Sequence, residues 1–296
     1  MFLMMKLISM NISGVGGSSK TRYLEDLVRK EQSYVVCLQE TKCKELGKEI
    51  FFQMWGTNEI DWVERGTDNN AGGVITMWRR SCFHLDNIII GVIFCIIEGE
   101  CKVGESLPTT IVNIYSYGFL RERCAIWEAI WEKKRAHMSA TWCAVEDFNS
   151  IRRSGERRSV KSSHVYRGET RRFNAFIEKS DLFDIPMVGR KFIWYKPNGL
   201  VKSKIDRILV SSEWLDKWSD RKQVVLGRSV FEHCALVLKT LTVDWGPKPF
   251  RSLDIWQSDG KFKDFVHSKW ESYEVQDTGI FVFKENLKLM KANIKV

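Results

Sequence analysis

The feature that most limits what this chain can become is a series of short apolar runs, rich in Val, Ile and Cys, that stop or start on polar residues. "KLISM" runs into Asn11, "YVVCL" into Gln39 and Glu40, and "TWCAV" into Glu146 and Asp147. "TIVNIY" ends on Tyr115, "IDRILV" begins beside Asp206, and "CALVL" follows His233. Runs this short do not make helices, and several are bounded by Gly, Asn or Ser, so they read as strands. "GGVITMW", "NIIIGVIFCII" and "KFIWY" add to the set. Helical spacing appears between some of them. "SKTRYLEDLVRKE" gathers Tyr23, Leu24, Leu27 and Val28 on one face, and "LRERCAIWEAIWEKKRAHM" repeats Ile126, Ala129 and Ile130. "GETRRFNAFIEKSDLF" does the same with Phe173, Phe176 and Ile177. The mixture is α/β.

A chain of 296 residues with 44% hydrophobic content can fill a sizeable core. Its 46 Lys and Arg against 37 Asp and Glu leave a net charge of +9, which favours anionic partners such as nucleic acid or acidic lipid. A basic protein with no such partner is also common. The eight cysteines form no C-x-x-C pair and most sit inside apolar runs. They read as core residues in a reducing compartment, because disulfide frameworks belong to short secreted chains and zinc needs clustered ligands. No apolar stretch approaches transmembrane length, so no membrane partner is expected. The opening "MFLMMKLISMN" is interrupted by Lys6 and lacks a small-residue cleavage site, so it reads as a first strand of a protein that is not secreted.

The texture changes near Leu241. "TVDWGPKPFRSLDIW" reads as an exit linker, and Phe262, Phe265, Val266 and Trp270 predict an amphipathic helix with no stop signal after it. The expected organisation is one domain over residues 5–240, then a linker and helical tail over 241–296 that begins a longer polyprotein.

Each polar strand-end residue has an ordinary structural reading by itself. Asn11 can start a turn, Glu40 and Thr41 can cap a segment, and Asp147 can cap a helix. Asp206 can pair with Lys204 or Arg207 on a solvent face, and a single histidine such as His233 is more often satisfied than catalytic. Together, however, Asn11, Glu40, Tyr115, Asp147 with Asn149, Asp206 and His233 belong to separate strands. Strands of a layered domain can bring their ends to one rim. Carboxylate and amide oxygens suit Mg2+. Asp, Asn, Tyr and His supply what phosphodiester hydrolysis needs: a group to orient or deprotonate water, donors toward phosphoryl oxygens, and stabilisation of the leaving oxygen.

The segments "MKLISMNISGVG", "VVCLQETK", "VNIYS", "EDFNSIRRSGERR", "RKFIWYKP", "SKIDRILVS" and "FEHCALVL" resemble, in order and spacing, the endonuclease/exonuclease/phosphatase superfamily. They are most similar to the apurinic-type endonuclease domain of plant LINE (non-LTR) retrotransposons, over about residues 5 to 240. The resemblance implies a four-layer sandwich, two mostly antiparallel sheets packed face to face with helices outside. It implies that Glu40 holds Mg2+ (or Mn2+) with help from Asn11, and that Asp147 and Asn149 position or activate the attacking water. Tyr115 would support the phosphate, and His233, oriented by Asp206, would stabilise the transition-state charge. Glu232, in place of the aspartate of S-D-H, is a further metal-ligand expectation. The implied activity is DNA nicking at a target site by a monomer that needs no small-molecule cofactor beyond the metal.

Three departures bear on activity. Glu146 replaces the Gly of G-D-F-N, Phe231 and Glu232 replace Ser and Asp of S-D-H, and Met10 replaces a Trp. A decayed catalyst that still binds nucleic acid is therefore one alternative, and a phosphatase acting on a small phosphorylated substrate is another. The run after Asp147 holds Arg152, Arg153, Arg157, Arg158, Lys161, Arg167, Arg171 and Arg172 against Glu156 and Glu169. Such a run is usually a solvated face, but its place beside Asp147 favours a track for the DNA backbone. Nuclear action is expected by analogy, although Lys133 to Arg135 is a poor import signal; the cytoplasm is the alternative.

Overall fold

In the computed structural model the apolar runs pair into two large sheets. The described residues are 5–67, 72–116, 118–136, 141–159, 167–218, 221–229, 231–240, 260–274 and 279–294. The first sheet contains β1 (Lys6–Asn11), β2 (Val35–Gln39), β3 (Ile60–Arg65), β4 (Val74–Arg79), β11 (Met187–Val188), β15 (Arg221–Val225) and β16 (Leu236–Thr240). Its order is β11-β15-β16-β1-β2-β4-β3. The second contains β5 (Phe83–Ile90), β6 (Phe94–Cys101), β7 (Leu107–Tyr115), β8 (Thr141–Asp147), β10 (Leu182–Asp184) and β14 (Asp206–Ser211), in the order β10-β14-β8-β7-β6-β5. A small third sheet joins β12 (Trp194–Tyr195), β13 (Lys202–Ser203) and β9 (Arg157–Arg158). Among the described residues, parallel pairing is confined to β1 with β2, β7 with β8, and β11 with β15.

Strand alternation explains why the runs are apolar without a break. Leu7, Val35, Cys37, Ile97, Ile111, Cys143, Val145 and Ile208 meet between the two sheets. Their strand neighbours turn outward. Ile8, Met10, Val36 and Leu38 pack on Leu24, Leu27 and Val28 of α1 (Ser18–Glu31) and Phe51 of α2 (Lys48–Trp55). On the second sheet Ile96, Val112 and Ala144 pack on α3 (Leu120–Ala136) through Trp127 and Ile130, and on α4 (Arg167–Lys179) through Phe173, Phe176 and Ile177. Both faces of each central strand are therefore buried, which gives the four layers helix, sheet, sheet, helix. Each such aliphatic side chain contributes about 1.5–3 kcal/mol by leaving water.

Several local readings change. "NIIIGVIFCII" is a hairpin, with β5 and β6 meeting at a turn in which the Gly91 N–H donates to the Phe94 carbonyl at 2.9 Å. The buried stripe of α3 is Arg123, Trp127 and Ile130, rotated from the one centred on Ile126 and Ala129, because the wider indole fills the groove against α4. "KFIWY" contributes only the two residues of β12. Strand β3, absent from the sequence reading, is an edge strand whose half-buried charged positions hide its alternation.

The chain divides into two compact units, Met1–Thr242 and Val243–Val296. In the second, the expected single tail helix is two: α5 (Gly260–Glu271) and α6 (Gly279–Ile294), joined by an edge-on contact of Trp270 with Phe283 at 5.8 Å. The linker read in "TVDWGPKPFRSLDIW" and Lys161 lie outside the described residues. Among the described residues no helix is long and apolar enough to cross a membrane.

Candidate active site

Because β1 and β2 run parallel, as do β7 and β8, their C-terminal residues finish together. Asn11 lies opposite Gln39, and Tyr115 opposite Asp147. Strand β14 enters antiparallel beside β8, which sets Asp206 opposite Asp147. The two sheets are then joined across this rim: Asn11 Nδ2 donates to Asp147 Oδ2 at 3.0 Å, between residues 136 positions apart. Asp147 Oδ1 accepts the Asn149 N–H at 3.0 Å, so both carboxylate oxygens are fixed. His233, bridged to Trp194 by strand pairing, holds Nδ1 3.0 Å from both Asp206 oxygens and Nε2 3.8 Å from Asp147 Oδ2. Asp206 thus faces the imidazole instead of Lys204 or Arg207 on a solvent face.

Asn11, Asp147, Asp206 and His233 are all buried. Burial, then the Asp206 carboxylate, pushes the Asp147 carboxyl well above the usual range, against the opposing pull of His233, Asn149 and Asn11. Burial works against charge on His233, but Asp206, with Asp147 and Glu40, outweighs it and raises the imidazole pKa. The arrangement is a proton-hungry carboxylate beside a charged, oriented imidazolium. The ligand atoms of Asp147, Asp206 and His233 lie within 4.8 Å of one another, the grouping among the described residues with metal-holding potential.

Glu40 stands at the edge of this group. Its Oε1 accepts from Lys42 Nζ at 2.8 Å, and Ser13 Oγ lies 3.4 Å from both Glu40 Oε2 and Asn11 Oδ1. These two oxygens therefore converge on one locus where an ammonium already sits beside the carboxylate. Hard oxygens of this kind fit a divalent cation such as Mg2+. Ser13, Glu40, Lys42 and Asn149 all adopt left-handed backbone, at φ of 44, 56, 53 and 46°. Such conformations cost about 1–3 kcal/mol each and persist where the surroundings over-determine them. Here the bonds are Gly14 N–H to Glu40 O at 2.7 Å, Val15 N–H to Thr41 O at 2.9 Å and Lys42 N–H to Gly72 O at 3.0 Å. Gly73, at φ +85°, is part of this clamp, since a Cβ there would fall 2.2 Å from Thr41 Oγ1. Gly73→Ala is expected to destabilise the protein by about 2–3 kcal/mol, read as a lowered urea midpoint at unchanged slope. An unchanged midpoint would show that the clamp yields freely.

The other expected site residues are placed as follows. Tyr115 is buried in the inter-sheet core, with its N–H on the Ile93 carbonyl at 3.0 Å. Asn149 spends its amide on the Ser116 carbonyl at 2.7 Å. Glu232 is half-buried and outside the Asp147 group; its carbonyl accepts the Tyr195 N–H at 3.0 Å. Phe231 turns into the core under α1, its ring 5.3 Å from that of Tyr23, and Met10 is buried in the same core. The serine-to-phenylalanine departure is thus absorbed by helix packing while His233 keeps its partners. The side chain of Glu146 lies outside the described ones.

The arginine run divides. Arg153, Arg158, Arg167, Arg171 and Arg172 are exposed. Arg152 is half-buried, with Nε on Asn174 Oδ1 at 3.0 Å and Nη1 3.4 Å from Asp184 Oδ2, and Arg157 is half-buried in β9. Glu156 bonds Arg207, and Glu169 lies 3.0 Å from Arg123. Arg123 is a site residue that the sequence reading missed. It is buried and donates from Nη1 to the Asn149 carbonyl at 2.9 Å, clamping the loop that fixes Asp147. Its signal was present in the sequence, as a charged residue in register with Trp127 and Ile130 on the buried face of a helix.

Neither a family model nor a curated protein matches the chain. Solved structures do. The AP endonuclease LMAP from Leishmania major superimposes with a TM-score of 0.63 at 16% identity, covering 80% of this chain and 87% of that one. The Xenopus laevis APE2 catalytic domain gives 0.60 at 12% identity, over 80% and 92%. An endonuclease/exonuclease/phosphatase family protein from Bacteroides thetaiotaomicron gives 0.54 at 16%, over 80% and 97%. At these identities the likeness establishes the fold: two large mixed sheets with helices around them, as in the endonuclease/exonuclease/phosphatase proteins.

Proposed function

We propose that this chain is a metal-dependent phosphodiester hydrolase that nicks DNA, of the kind found as the endonuclease domain of plant LINE retrotransposons. One observation carries the reading: a carboxylate fixed by two donors and an imidazole fixed by a second carboxylate meet at the rim where the two sheets are bridged by Asn11 and Asp147. The structural neighbours that are AP endonucleases support DNA as the substrate, as does the net charge of +9.

Asp147 orients the attacking water and accepts its proton, which its raised proton affinity favours. His233, charged and held by Asp206, donates from Nε2 to a phosphoryl oxygen. Asn149 and Arg123 keep the Asp147 loop in place, and Tyr115, buried at the end of β7, lies opposite Asp147. Glu40 and Asn11 hold a divalent cation, Mg2+ or Mn2+, which when bound supplies neutralisation of phosphate charge. Glu232 stands outside this set. The exposed arginines 153, 158, 167, 171 and 172 contact the DNA backbone, giving affinity that falls steeply with salt.

The test is nicking of supercoiled plasmid by the full chain with Mg2+ and with chelator, beside His233→Ala. Metal-dependent relaxed circles that disappear in the variant are expected. Plasmid bound but uncut would mark a degenerate copy. Turnover of a small phosphate ester that DNA does not compete with would mark a phosphatase. Either result overturns the DNA-nicking reading.

A further inference from the structure

Lys20 stands in the first turn of α1, where a cation works against the helix dipole and no acidic side chain offsets it. What its ammonium reaches explains the position. Nζ donates to three successive carbonyls, those of Ile12 at 2.9 Å, Ser13 at 3.1 Å and Gly14 at 2.8 Å. An ammonium has three donors, so all of them are used. Three carbonyl dipoles that would repel one another are thereby turned onto one positive point.

The turn gathered in this way carries the cation locus. Ser13 N–H donates to Asn11 Oδ1 at 2.9 Å, which fixes the amide whose Nδ2 bonds Asp147. Ile12 N–H bonds the Gln39 carbonyl at 3.0 Å and Gly14 N–H the Glu40 carbonyl at 2.7 Å, so the turn is laced to the end of β2 that bears Glu40. Ser13 is held at φ 44°, a conformation that needs such support. Burial, then Lys42, lowers the Lys20 pKa, with Glu40 opposing them. The two ammonium groups and the Glu40 carboxylate therefore share one neighbourhood.

Against the ammonium lies the departure at position 231. Lys20 Nζ is 5.3 Å from the centre of the Phe231 ring, within reach of a cation–ring attraction. The ring is buried and is set in turn by Tyr23, three residues further along α1, at 5.3 Å. A serine at 231 would offer Lys20 no such face.

We propose that Lys20 is a positioning residue for the cation locus, holding the Asn11–Gly14 turn by its carbonyls, and that Phe231 belongs to this support instead of marking decay. The inference rests on the reading of Glu40 and Asn11 as holders of a divalent cation. Two effects of opposite sign compete at Lys20. A nearby ammonium repels a dication, so charge alone would make Lys20→Met bind metal more tightly, whereas release of the turn makes binding weaker. The three carbonyls already take up the Lys20 charge, so positioning prevails.

The test measures Mn2+ affinity of the full chain without DNA, from the electron paramagnetic resonance signal of free Mn2+. Lys20→Met is expected to weaken binding about 10–100-fold, the order for losing a group that orients a metal ligand. Phe231→Leu keeps an apolar side chain and should weaken it about two- to fivefold, the order for one cation–ring contact. The two changes together should lose no more than Lys20→Met alone, because the ring acts through the ammonium. Phe231→Ser should also weaken binding, the reverse of what repair of a damaged site would give. Glu40→Gln locates the ion and should abolish binding, and circular dichroism melts check that each variant folds. Unchanged or tighter binding in a folded Lys20→Met overturns the proposal and leaves the cation locus standing. If Lys20→Met does not fold, Phe231→Leu decides, and unchanged affinity there overturns the proposal. No binding by the wild-type chain, or binding that Glu40→Gln leaves intact, removes the locus itself and the proposal with it.

Discussion

Asp147→Asn is expected to slow plasmid nicking by about 10²–10⁴-fold, the range over which a positioned general base contributes, while duplex binding in chelator persists. The geometry explains why so small a change is severe. The Asp147 oxygens each accept from an N–H, from Asn149 at 3.0 Å and from Asn11 at 3.0 Å. An amide keeps one acceptor and presents an NH2 group to the other donor, so one of these bonds is lost and the side chain swings. The charge that accepts the proton is lost as well, and with it part of the field that keeps His233 protonated. Thermal melts of the variant should stay close to the wild type, because protonating or neutralising a buried carboxylate removes a desolvation cost as well as its contacts. Nicking at the wild-type rate would remove Asp147 from the mechanism.

Arg207→Met should give the largest loss of stability, about 3–5 kcal/mol, since removing one partner of a buried ion pair leaves charge uncompensated. The Arg207 side chain is fully buried. It donates from Nη1 to Asp184 Oδ2 at 2.6 Å, from Nη2 to the Glu156 carboxylate, and from Nη2 to the Lys204 carbonyl at 3.1 Å. Without it Asp184 keeps Lys204 at 3.3 Å and Arg152 at 3.4 Å, but Glu156 loses its principal cation. Glu156 also accepts the Arg152 N–H at 2.7 Å, so the loop that follows Asp147 is stapled to β14 through this residue. Urea unfolding should show the loss, and adding Glu156→Gln to Arg207→Met should recover part of it, because the orphaned charge is then gone. A loss under about 1 kcal/mol would place the cluster with solvent-screened pairs instead.

The strands themselves were legible in the sequence, because a strand's burial is written in its own residues, whereas the four layers were what the family resemblance implied. In β1, Leu7 faces the other sheet and Ile8 faces a helix; in β8, Cys143 and Ala144 divide in the same way. A strand buried on both faces must be apolar throughout, and "YVVCL" or "TWCAV" states that without any knowledge of its neighbours. Hairpins and edges were less legible. Gly91 inside "NIIIGVIFCII" was the only mark of a turn, and β3 alternates apolar positions with Asp61, Glu64 and Arg65.

By itself, then, the sequence determined the apolar strands, the main helical segments and the identity of the polar residues at the strand ends, since those are properties of a residue and its near neighbours. Only the tertiary structure decided how the residues pair. It joined Asn11 to Asp147 across 136 positions, turned Asp206 toward His233, and buried Arg207 between Glu156 and Asp184. It also withdrew Arg152 into that cluster and recruited Arg123 to the Asn149 loop. Periodicity records which side of a strand or helix a residue occupies. The partner waiting there is set by how sheets and helices stack, and a bond between distant segments leaves no local trace.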